Sequence, residues 1–390
     1  MIKINKDKWN STDIGSVADE INEKILNPSE SGCEKFIRPE DLEIGELYVK
    51  SFREPEDVGS GKHCSIGDIL FARRSVSVSQ FKRRSSILKF DGVCSDEITV
   101  IRQNNHKLYP EFLNLILNTT NLWDFAIARS VGSVSKRIKW EDLATYTFKY
   151  PKAIDEQKQI VVLFQNIESS LEQVDEQEKN INNLKKRLIN DLAIHENQNN
   201  NSWRTLNKSK WQKVRYGDYV DHIEKNERNV EKRKIAKYVS VENIITGKLK
   251  IQSYMQEEMP TFSRTFKTGD ILFAKRRAYQ RKVAIANFDG ICSPHIWSLQ
   301  SKTGLMQEFL AYIMLSDTFY DYANANSAGT MSVYLKWPQL SNYKMLLPSL
   351  DDQVKILDIF RNIESLLDNI ELQKRTLKNL KQKLINVILG

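Results

Sequence analysis

Two segments of the chain combine basic and polar side chains in a way that suits contact with nucleic acid. One follows the apolar run Ile69–Ala72, and the other follows a matching run at Ile271–Ala274. Arginine can make bidentate contacts to guanine and glutamine to adenine, while both lysine and arginine bind phosphates without reading sequence. The candidate residues of the first segment are Arg73, Arg74, Ser77, Gln80, Lys82, Arg83 and Arg84. Those of the second segment are Lys275, Arg276, Arg277, Tyr279, Gln280, Arg281 and Lys282.

A second pair of candidate segments lies later in each half of the chain. Small hydroxyl residues stand beside cations there, which suits contacts with phosphates and base edges. The candidate residues are Ser133, Ser135, Lys136 and Arg137 in the first half and Ser332, Tyr334 and Lys336 in the second. Trp140 and Trp337 follow, and we expect them to be core anchors rather than stacking platforms. For the first pair of segments, a solvated hairpin is the simpler interpretation, but the same placement in both halves favours contact with DNA.

An internal repeat explains why these candidates come in pairs. Gly67–Arg74 returns as Gly269–Arg276, with seven of the eight residues identical. Phe90–Ser95 returns as Phe288–Ser293, and LKKRLIN near position 184 returns as LKQKLIN near position 380. A repeat of about 200 residues is too long for a solenoid unit and has the length of a domain with an accessory element. The chain therefore contains two copies of one structural unit, which suits a target with two parts.

The first part of each copy is predicted to mix strands and helices. Ile69–Ala72 follows a Gly-Asp turn and is typical of a buried strand. Residues 87–90 are predicted to form a strand that ends in a turn at Asp91-Gly92, and residues 98–101 the next strand. Residues 110–119 and 305–315 are predicted to be helical.

The second part of each copy is predicted to be one long helix. The first carries apolar residues at Ile160, Phe164, Ile167, Leu171, Val174, Ile181, Leu184, Leu188 and Leu192. The second carries them at Ile356, Phe360, Ile363, Leu367, Ile370, Leu377, Leu380, Leu384 and Ile388. The 4-3-4-3 spacing of the first five positions is that of a coiled coil, and a helix of this length would extend roughly 57 Å. We expect the two helices to pair antiparallel, with a globular domain at each end.

The fold class predicted from these patterns is α+β, with two mixed α/β domains separated by a pair of long antiparallel coiled-coil helices. A pseudo-two-fold axis would relate the two copies. The predicted boundaries are residues 1–152 for the first mixed domain, 153–196 for its helix and 197–209 for a linker. The second mixed domain is predicted at residues 210–349 and its helix at 350–390. Such a chain could read two different half-sites on one face of a duplex.

The composition agrees with a DNA partner and offers little for other classes. The net charge of +8 suits a polyanion, although charge concerns partners rather than fold. The four cysteines show no CxxC spacing, so we expect small buried thiols. The N-terminus lacks an apolar signal core and no run reaches 18 apolar residues, which predicts a cytoplasmic protein without a membrane partner.

Motifs for catalysis are missing from the sequence. Residues 58–63 hint at a phosphate loop, but Glu56 replaces the required early glycine and His63 the required serine or threonine. The sequence contains no GxGxxG, HExxH or GxSxG motif. We therefore expect no catalytic site, cofactor or metal in this chain.

The combination of parts resembles the specificity subunit of type I restriction–modification systems, and the resemblance covers essentially the whole chain. It rests on four shared features: the opening Trp and Gly, the GDILFA strand, the Pro-acidic pair-Gln element and the long helix. The residues are Trp9, Gly15, Pro151, Asp155, Glu156 and Gln157, and Trp211, Gly217, Pro348, Asp351, Asp352 and Gln353. The resemblance implies two target recognition domains, which bind double-stranded DNA, and spacer helices that dock two methyltransferase subunits.

The resemblance also implies where the chemistry of the complex takes place. A partner would transfer a methyl group from S-adenosylmethionine to adenine, and restriction/translocase subunits using ATP and Mg would join for cleavage in defence against foreign DNA. Three alternatives stay open: an enzyme acting on DNA alone, a coiled-coil scaffold that binds no DNA, and a DNA-recognition subunit of another anti-phage defence complex. A scaffold would be insensitive to salt, whereas a protein that grips phosphates would bind DNA much more weakly as salt rises.

Overall fold

The chain divides into two compact units whose boundaries lie inside both long helices. The first unit comprises Met1–Glu176 and Ile370–Gly390, and the second comprises Gln177–Asn369. The computed structural model describes residues 6–30, 32–56, 58–74, 84–132, 136–193, 203, 206, 208–234, 236–256, 262–276, 278–329 and 334–390. Each unit thus contains one mixed domain and a segment of each long helix.

The first unit is built on strands packed against short helices and the long helices. Its strands are β1 (Asn10–Asp13), β2 (Ala18–Ile21), β3 (Lys24–Leu26), β4 (Phe36–Ile37), β5 (Ser60–Cys64), β6 (Ile69–Ala72), β7 (Ser85–Ile87), β8 (Gly92–Cys94), β9 (Ile98–Gln103) and β10 (Thr147–Tyr150). Its helices are α1 (Pro110–Leu117), α2 (Thr120–Arg129), α3 (Trp140–Leu143) and the start of α4 (Ile154–Ala193). In the described part, the strands form sheets in the orders β2-β9-β6-β7 and β3-β5-β8-β4, and β1 pairs with β10.

The second unit repeats this plan. Its strands are β11 (Gln212–Arg215), β12 (Val220–Ile223), β13 (Tyr238–Val239), β14 (Arg264–Phe266), β15 (Ile271–Ala274), β16 (Val283–Ile285), β17 (Gly290–Cys292), β18 (Ile296–Ser301) and β19 (Lys344–Leu347). Its helices are α5 (Tyr216–Tyr219), α6 (Val230–Lys234), α7 (Gln307–Ile313), α8 (Asp317–Ala325), α9 (Trp337–Leu340) and the start of α10 (Leu350–Leu389). The sheet orders are β12-β18-β15-β16 and β13-β17-β14, with β11 paired to β19. The α+β class and the two long helices are confirmed.

The repeated Ile-Leu-Phe-Ala strand is apolar throughout because both of its faces are buried. Successive side chains of a strand point to opposite faces. Ile69 and Phe71 therefore enter the core that α1, α2 and the long helices cover, where Phe71 stacks on Trp123 at 4.8 Å between ring centroids. Leu70 and Ala72 enter a smaller core beneath the second sheet. The strand β15 has the same two-sided burial.

The Gly-Asp turn and the Phe-Asp-Gly element recur together because they bond to each other. Asp91 accepts a hydrogen bond from the backbone N–H of Ile66 at 2.8 Å, and Asp289 accepts one from Thr268 at 2.8 Å. The Lys267 ammonium, together with the hydrogen bonds from Thr268, lowers the pKa of Asp289 to about 2. The motif therefore braces the entry to β6 and β15.

The predicted turn at Asp91-Gly92 is wrong in part, because Gly92 opens the strand β8. Glycine is required there by a close approach of backbone, since a Cβ atom would lie 3.0 Å from the carbonyl oxygen of Lys35. The predicted strand at residues 87–90 is also displaced, because the pairing with β6 covers Ser85–Ile87.

The repeated glutamine at the start of each long helix anchors the helix to its domain. Gln157 is fully buried, accepts a hydrogen bond from Tyr109 N at 2.8 Å and donates one to Pro151 O at 2.8 Å. Gln353 makes the same bonds to Met306 N at 2.8 Å and Pro348 O at 3.0 Å. A buried amide with its partners satisfied fixes the direction in which the helix leaves the domain.

In the first unit, the start of α4 packs antiparallel against the end of α10. Lys381 forms an ion pair with Glu168, and Lys374 pairs with Asp175 at 2.5 Å. As the residue number rises along α10, the number of the partner residue on α4 falls, so the two helices run in opposite directions. Leu47 N also donates to the Glu168 carboxylate at 2.6 Å, which ties this ion pair to the mixed domain.

The second unit contains the matching ion pair. Lys185 lies 2.6 Å from Glu364 and donates to the carbonyl oxygen of Gly247 at 3.3 Å. In the first unit, Lys381 likewise donates to the carbonyl oxygen of Gly45. The two lysines are thus equivalent, as the repeat requires.

Two predicted core positions of the helices are wrong. Leu184 is 46% exposed and Leu380 is 44% exposed, whereas the next residue in each case, Lys185 or Lys381, is buried. The buried stripe of a straight helix drifts from a seven-residue repeat, since 3.6 residues do not divide seven. The polar partners described above then compensate the buried ammonium groups.

Replacing Lys381 with alanine should lower the free energy of unfolding by about 3–5 kcal/mol, because Glu168 would remain buried without its counter-ion. Chemical denaturation followed by circular dichroism measures the change. Lys158→Ala is the matched control, since Lys158 pairs within helix α4 with Asp155, whose side chain is largely exposed. Equal and small effects of the two substitutions would contradict the role of the buried pair.

Candidate nucleic-acid interface

Three segments of the first unit meet at the end of strand β6. The backbone N–H of Ile138 donates to Arg73 O at 3.3 Å, which joins residues 136–138 to the strand end. The Arg73 guanidinium donates to Asp96 O at 2.6 Å, and Arg74 forms an ion pair with Glu97. The structure thus brings the two predicted segments together and adds a third, the turn at residues 95–97.

The second unit assembles the same three segments at the end of strand β15. Leu335 N donates to Lys275 O at 3.0 Å, and Lys275 N donates to His295 O at 3.0 Å. The Arg276 guanidinium lies 3.0 Å from Nε2 of His295. Backbone pairing also links Arg276 with Tyr334. We call these sites the basic edges. Their members are Arg73, Arg74, Glu97, Lys136 and Arg137 in the first unit and Lys275, Arg276, His295, Tyr334 and Lys336 in the second.

The later candidate segment contributes exposed cations to each basic edge. Val131 and Arg137 exchange backbone hydrogen bonds of 2.9 and 3.0 Å. The side chains of Lys136 and Arg137 are exposed. In the second unit Tyr334 takes the place of Arg137, and Lys336 lies 6.0 Å from the Tyr334 ring centroid. These side chains are free to face a polyanion.

Lys275 is half-buried. Its ammonium lies 5.5 Å from the centroid of Trp297, a core residue. Burial lowers the pKa of Lys275, and the nearby Arg264 guanidinium lowers it further. Part of this side chain therefore serves packing.

Arg84 and Lys282 occupy equivalent positions and bind the backbone of their own units. Arg84 donates to Pro39 O at 2.5 Å, and Lys282 donates to Val241 O at 2.8 Å. These contacts brace the loops at 39–41 and 241–243. The predicted role of both residues in DNA contact stays a prediction.

Arg281 joins the second candidate segment to a long helix. It adopts a left-handed backbone with φ of +53° and forms an ion pair with Asp317. Asp317 in turn accepts a hydrogen bond from the Asn190 side chain at 2.7 Å. The two preceding residues make no such ion pair. Tyr279 is 57% exposed, and the backbone carbonyl of Gln280 accepts a hydrogen bond from Thr246 Oγ1 at 2.7 Å. The ion pair between Arg281 and Asp317 was not predicted from the sequence.

Several predicted DNA-contacting residues lie outside the described residues, and their assignment stays a prediction. They are Ser77, Gln80, Lys82, Arg83, Ser133, Ser135, Arg277 and Ser332. Trp140 and Trp337 are half-buried against the cores of their units, as predicted. The thiols of Cys64, Cys94 and Cys292 are buried, and burial raises the pKa of Cys292 to about 12.

Glu97 and His295 were missed by sequence reasoning. Each lies two positions after a stretch that the two copies share, Phe90–Ser95 and Phe288–Ser293, and the residue type differs between the copies. An abrupt change of residue type at the end of a repeated motif was the available signal.

A mixed domain with a basic edge, built twice and packed each time on segments of two long helices, defines a duplicated DNA-recognition protein. The family model of the type I restriction modification DNA specificity domain matches residues 6–183 and 208–382. The chain therefore belongs to the family of type I restriction–modification DNA specificity proteins.

Comparisons with individual proteins agree with this family. The chain is 32% identical over 129 residues to the type I restriction enzyme EcoDI specificity subunit of Escherichia coli, covering 33% of this chain and 29% of that protein. It is 23% identical over 327 residues to the MjaVIII specificity subunit of Methanocaldococcus jannaschii, covering 76% and 73%. The chain thus spans under a third of the first relative and about three quarters of the second.

A solved structure shares the fold. A chain from work on complex assembly and conformational transition of the type I R-M system superposes with a TM-score of 0.63 at 16% identity. The match covers 97% of this chain and 96% of the other. Within the described ranges, no helix is long and apolar enough to cross a membrane. The same ranges contain no group of three or more His, Cys, Asp or Glu side chains placed to hold a metal ion.

Replacing Arg281 with alanine should destabilise the second unit by about 1–2 kcal/mol, because a partly buried charged hydrogen bond to Asp317 is lost. Differential scanning calorimetry would record this as a lower melting temperature. Lys186→Ala provides the control, since Lys186 approaches the same carboxylate only to 4.0 Å and is 67% exposed. An unchanged melting temperature for Arg281→Ala would show that the contact contributes nothing to the fold.

The stability of the second unit should fall as the pH drops below about 6.5. Burial lowers the pKa of His222 from 6.5, only partly offset by Glu224, and its ring packs 5.1 Å from Trp297. A depressed histidine pKa means that the folded state prefers the neutral ring, so stability is present above the unfolded pKa and is lost on protonation. Melting temperatures between pH 7.5 and 5 should depend less on pH in His222→Asn than in wild type. The exposed histidine control His106→Asn should leave the slope unchanged; equal slopes in all three proteins would contradict this assignment.

Proposed function

We propose that this chain is the non-catalytic DNA specificity subunit of a type I restriction–modification complex. In this role it reads a bipartite, asymmetric site in double-stranded DNA. It directs a partner adenine methyltransferase, and restriction subunits, to that site. The observation that carries the proposal is the presence of two equivalent basic edges with different side chains in one chain of this family.

The charges of the basic edges support a role in holding DNA. Lys136, Arg137 and Lys336 are exposed cations, and such side chains bind phosphates and set the register of a protein on the duplex. Arg74 and Arg276 stand beside them, and arginine is the side chain best suited to read guanine in the major groove. A net charge of +8 adds a long-range attraction to the polyanion.

The differences between the edges support two distinct half-sites. Arg73 corresponds to Lys275, Glu97 to His295 and Arg137 to Tyr334. The strands that precede the first two exchanges, β6 and β15 and then β8 and β17, are nearly identical.

Because base edges are distinguished by their donors and acceptors, these exchanges alter what each edge can read. The duplicated domain thus supplies asymmetry without a second gene product.

The long helices offer surfaces for the two methyltransferase subunits that we expect as partners. Leu366 in the second unit and Leu372 and Val387 in the first are 51%, 62% and 72% exposed. Exposed apolar side chains of this kind can be buried by a protein partner. The methyl donor S-adenosylmethionine, and the ATP and Mg that restriction subunits use, would bind in those partners and not in this chain.

Methylation mapping tests the proposed function. The chain is co-expressed with the methyltransferase subunit of its own system in a host without adenine methylation, and modified bases are read across the genome. We expect a split motif with unlike halves and a methyladenine in each half. Absence of any modified motif, with the two proteins purified as one complex, would reject DNA recognition in favour of a scaffold role.

A further inference from the structure

The turn after strands β8 and β17 has the same backbone in both units but a different side chain. Glu97 N donates to Ser95 Oγ at 3.2 Å, and His295 N donates to Ser293 Oγ at 3.2 Å. The turn therefore has the same backbone structure in both units, but it carries a glutamate in the first unit and a histidine in the second. A constant frame with an exchanged side chain is the arrangement expected at a position that determines specificity.

The exchanged side chain meets an equivalent arginine in both units. Glu97 forms an ion pair with Arg74, and both side chains are 40% exposed. His295 lies with its Nε2 3.0 Å from the Arg276 guanidinium. Since the arginine is present in both edges, its partner is one of the positions at which these edges differ.

The two partners offer different hydrogen bonds to a base edge. A carboxylate only accepts, and it suits the exocyclic amine of cytosine. The guanidinium can only donate, so Nε2 of His295 must accept from Arg276, and the proton of the neutral ring is then on Nδ1. Burial and the nearby Arg276 and Lys275 lower the pKa of His295, which favours this neutral form. An Nδ1–H donor suits an acceptor on guanine or thymine.

His295 also lines an open cleft that could admit a base edge. The cleft has a volume of about 630 Å³ and collects Arg276, Gln280 and Ser240 beside the apolar side chains of Met255 and Phe262. Arginine and glutamine are the two side chains that most often read purines. The cleft thus gathers donors and acceptors of several kinds around the histidine.

We propose that the residue at this turn, Glu97 in the first unit and His295 in the second, determines base specificity as the partner of the adjacent arginine. This inference rests on the proposed DNA recognition and assigns one residue of each half-site to it. In the second edge, the His295–Arg276 pair reads one or two adjacent base pairs. In the first edge, the Glu97–Arg74 pair reads a different combination.

The substitution His295→Glu tests the assignment, because it gives the second edge the pair that the first edge already has. The variant is co-expressed with the methyltransferase, and its methylated motif is compared with that of wild type. We expect the preferred base to change, or discrimination to shift by about 5-fold or more, at one or two positions of the second half-site only. The first half-site serves as an internal reference and should stay the same.

Two further variants make the outcome decisive. His106→Glu, an identical exchange at an exposed position, should leave the whole motif unchanged. His295→Gln keeps a neutral hydrogen-bonding side chain and is used if His295→Glu fails to assemble. Its complex is then tested by competition binding against all single-base variants of the site. An unaltered motif in His295→Glu, or an equal loss of affinity for every competitor in His295→Gln, would overturn the proposal.

These results are separable from the proposed function. A bipartite motif for wild type supports DNA recognition whatever the variants do, whereas its absence rejects that function before the variants are compared.

Discussion

The buried ion pair between the long helices is the interaction on which each unit depends. In the first unit, Lys381 and Glu168 are both 7% exposed; in the second, Lys185 is 8% exposed and Glu364 is 34% exposed. Each lysine also binds the carbonyl oxygen of a glycine, Gly45 or Gly247. A buried charge is costly unless its hydrogen bonds are satisfied. Sliding one helix past the other would break both the ion pair and the bond from the lysine to the glycine carbonyl of the mixed domain. We attribute the register of the two helices to this constraint.

The glycines make this arrangement possible. Gly45 and Gly247 have φ values of +73° and +79°, a left-handed backbone that side chains rarely adopt. Their loops can therefore turn a carbonyl oxygen toward the helix pair. This carbonyl and the buried glutamine that opens the helix are thus two of the places where the mixed domain and the helices are joined in each unit.

The repeated motifs of the chain build the frame, and the residues beside them distinguish the two edges. Asp91 and Asp289 brace turns, Gly92 makes room for a neighbouring backbone, and the apolar strands fill two cores. Such roles tolerate little change, since packing and satisfied hydrogen bonds depend on shape. Side chains on the exposed edges are not restricted in this way. Duplication therefore allows one edge to change its chemistry while both frames stay intact.

The duplication, the buried strands, the two long helices and the segments that carry basic residues can all be predicted from the amino-acid sequence. These features depend on local pattern, because the periodicity of apolar residues and the identity of turn residues act within a few positions. Which side chains contact each other became evident in the folded protein. It placed Glu97 and His295 beside the arginines, gave Arg281 to Asp317, and exposed Leu184 and Leu380 while burying the lysines that follow them. The physical reason is that these contacts join residues far apart in the chain, and the free energy of burying a charge depends on partners that no local pattern names.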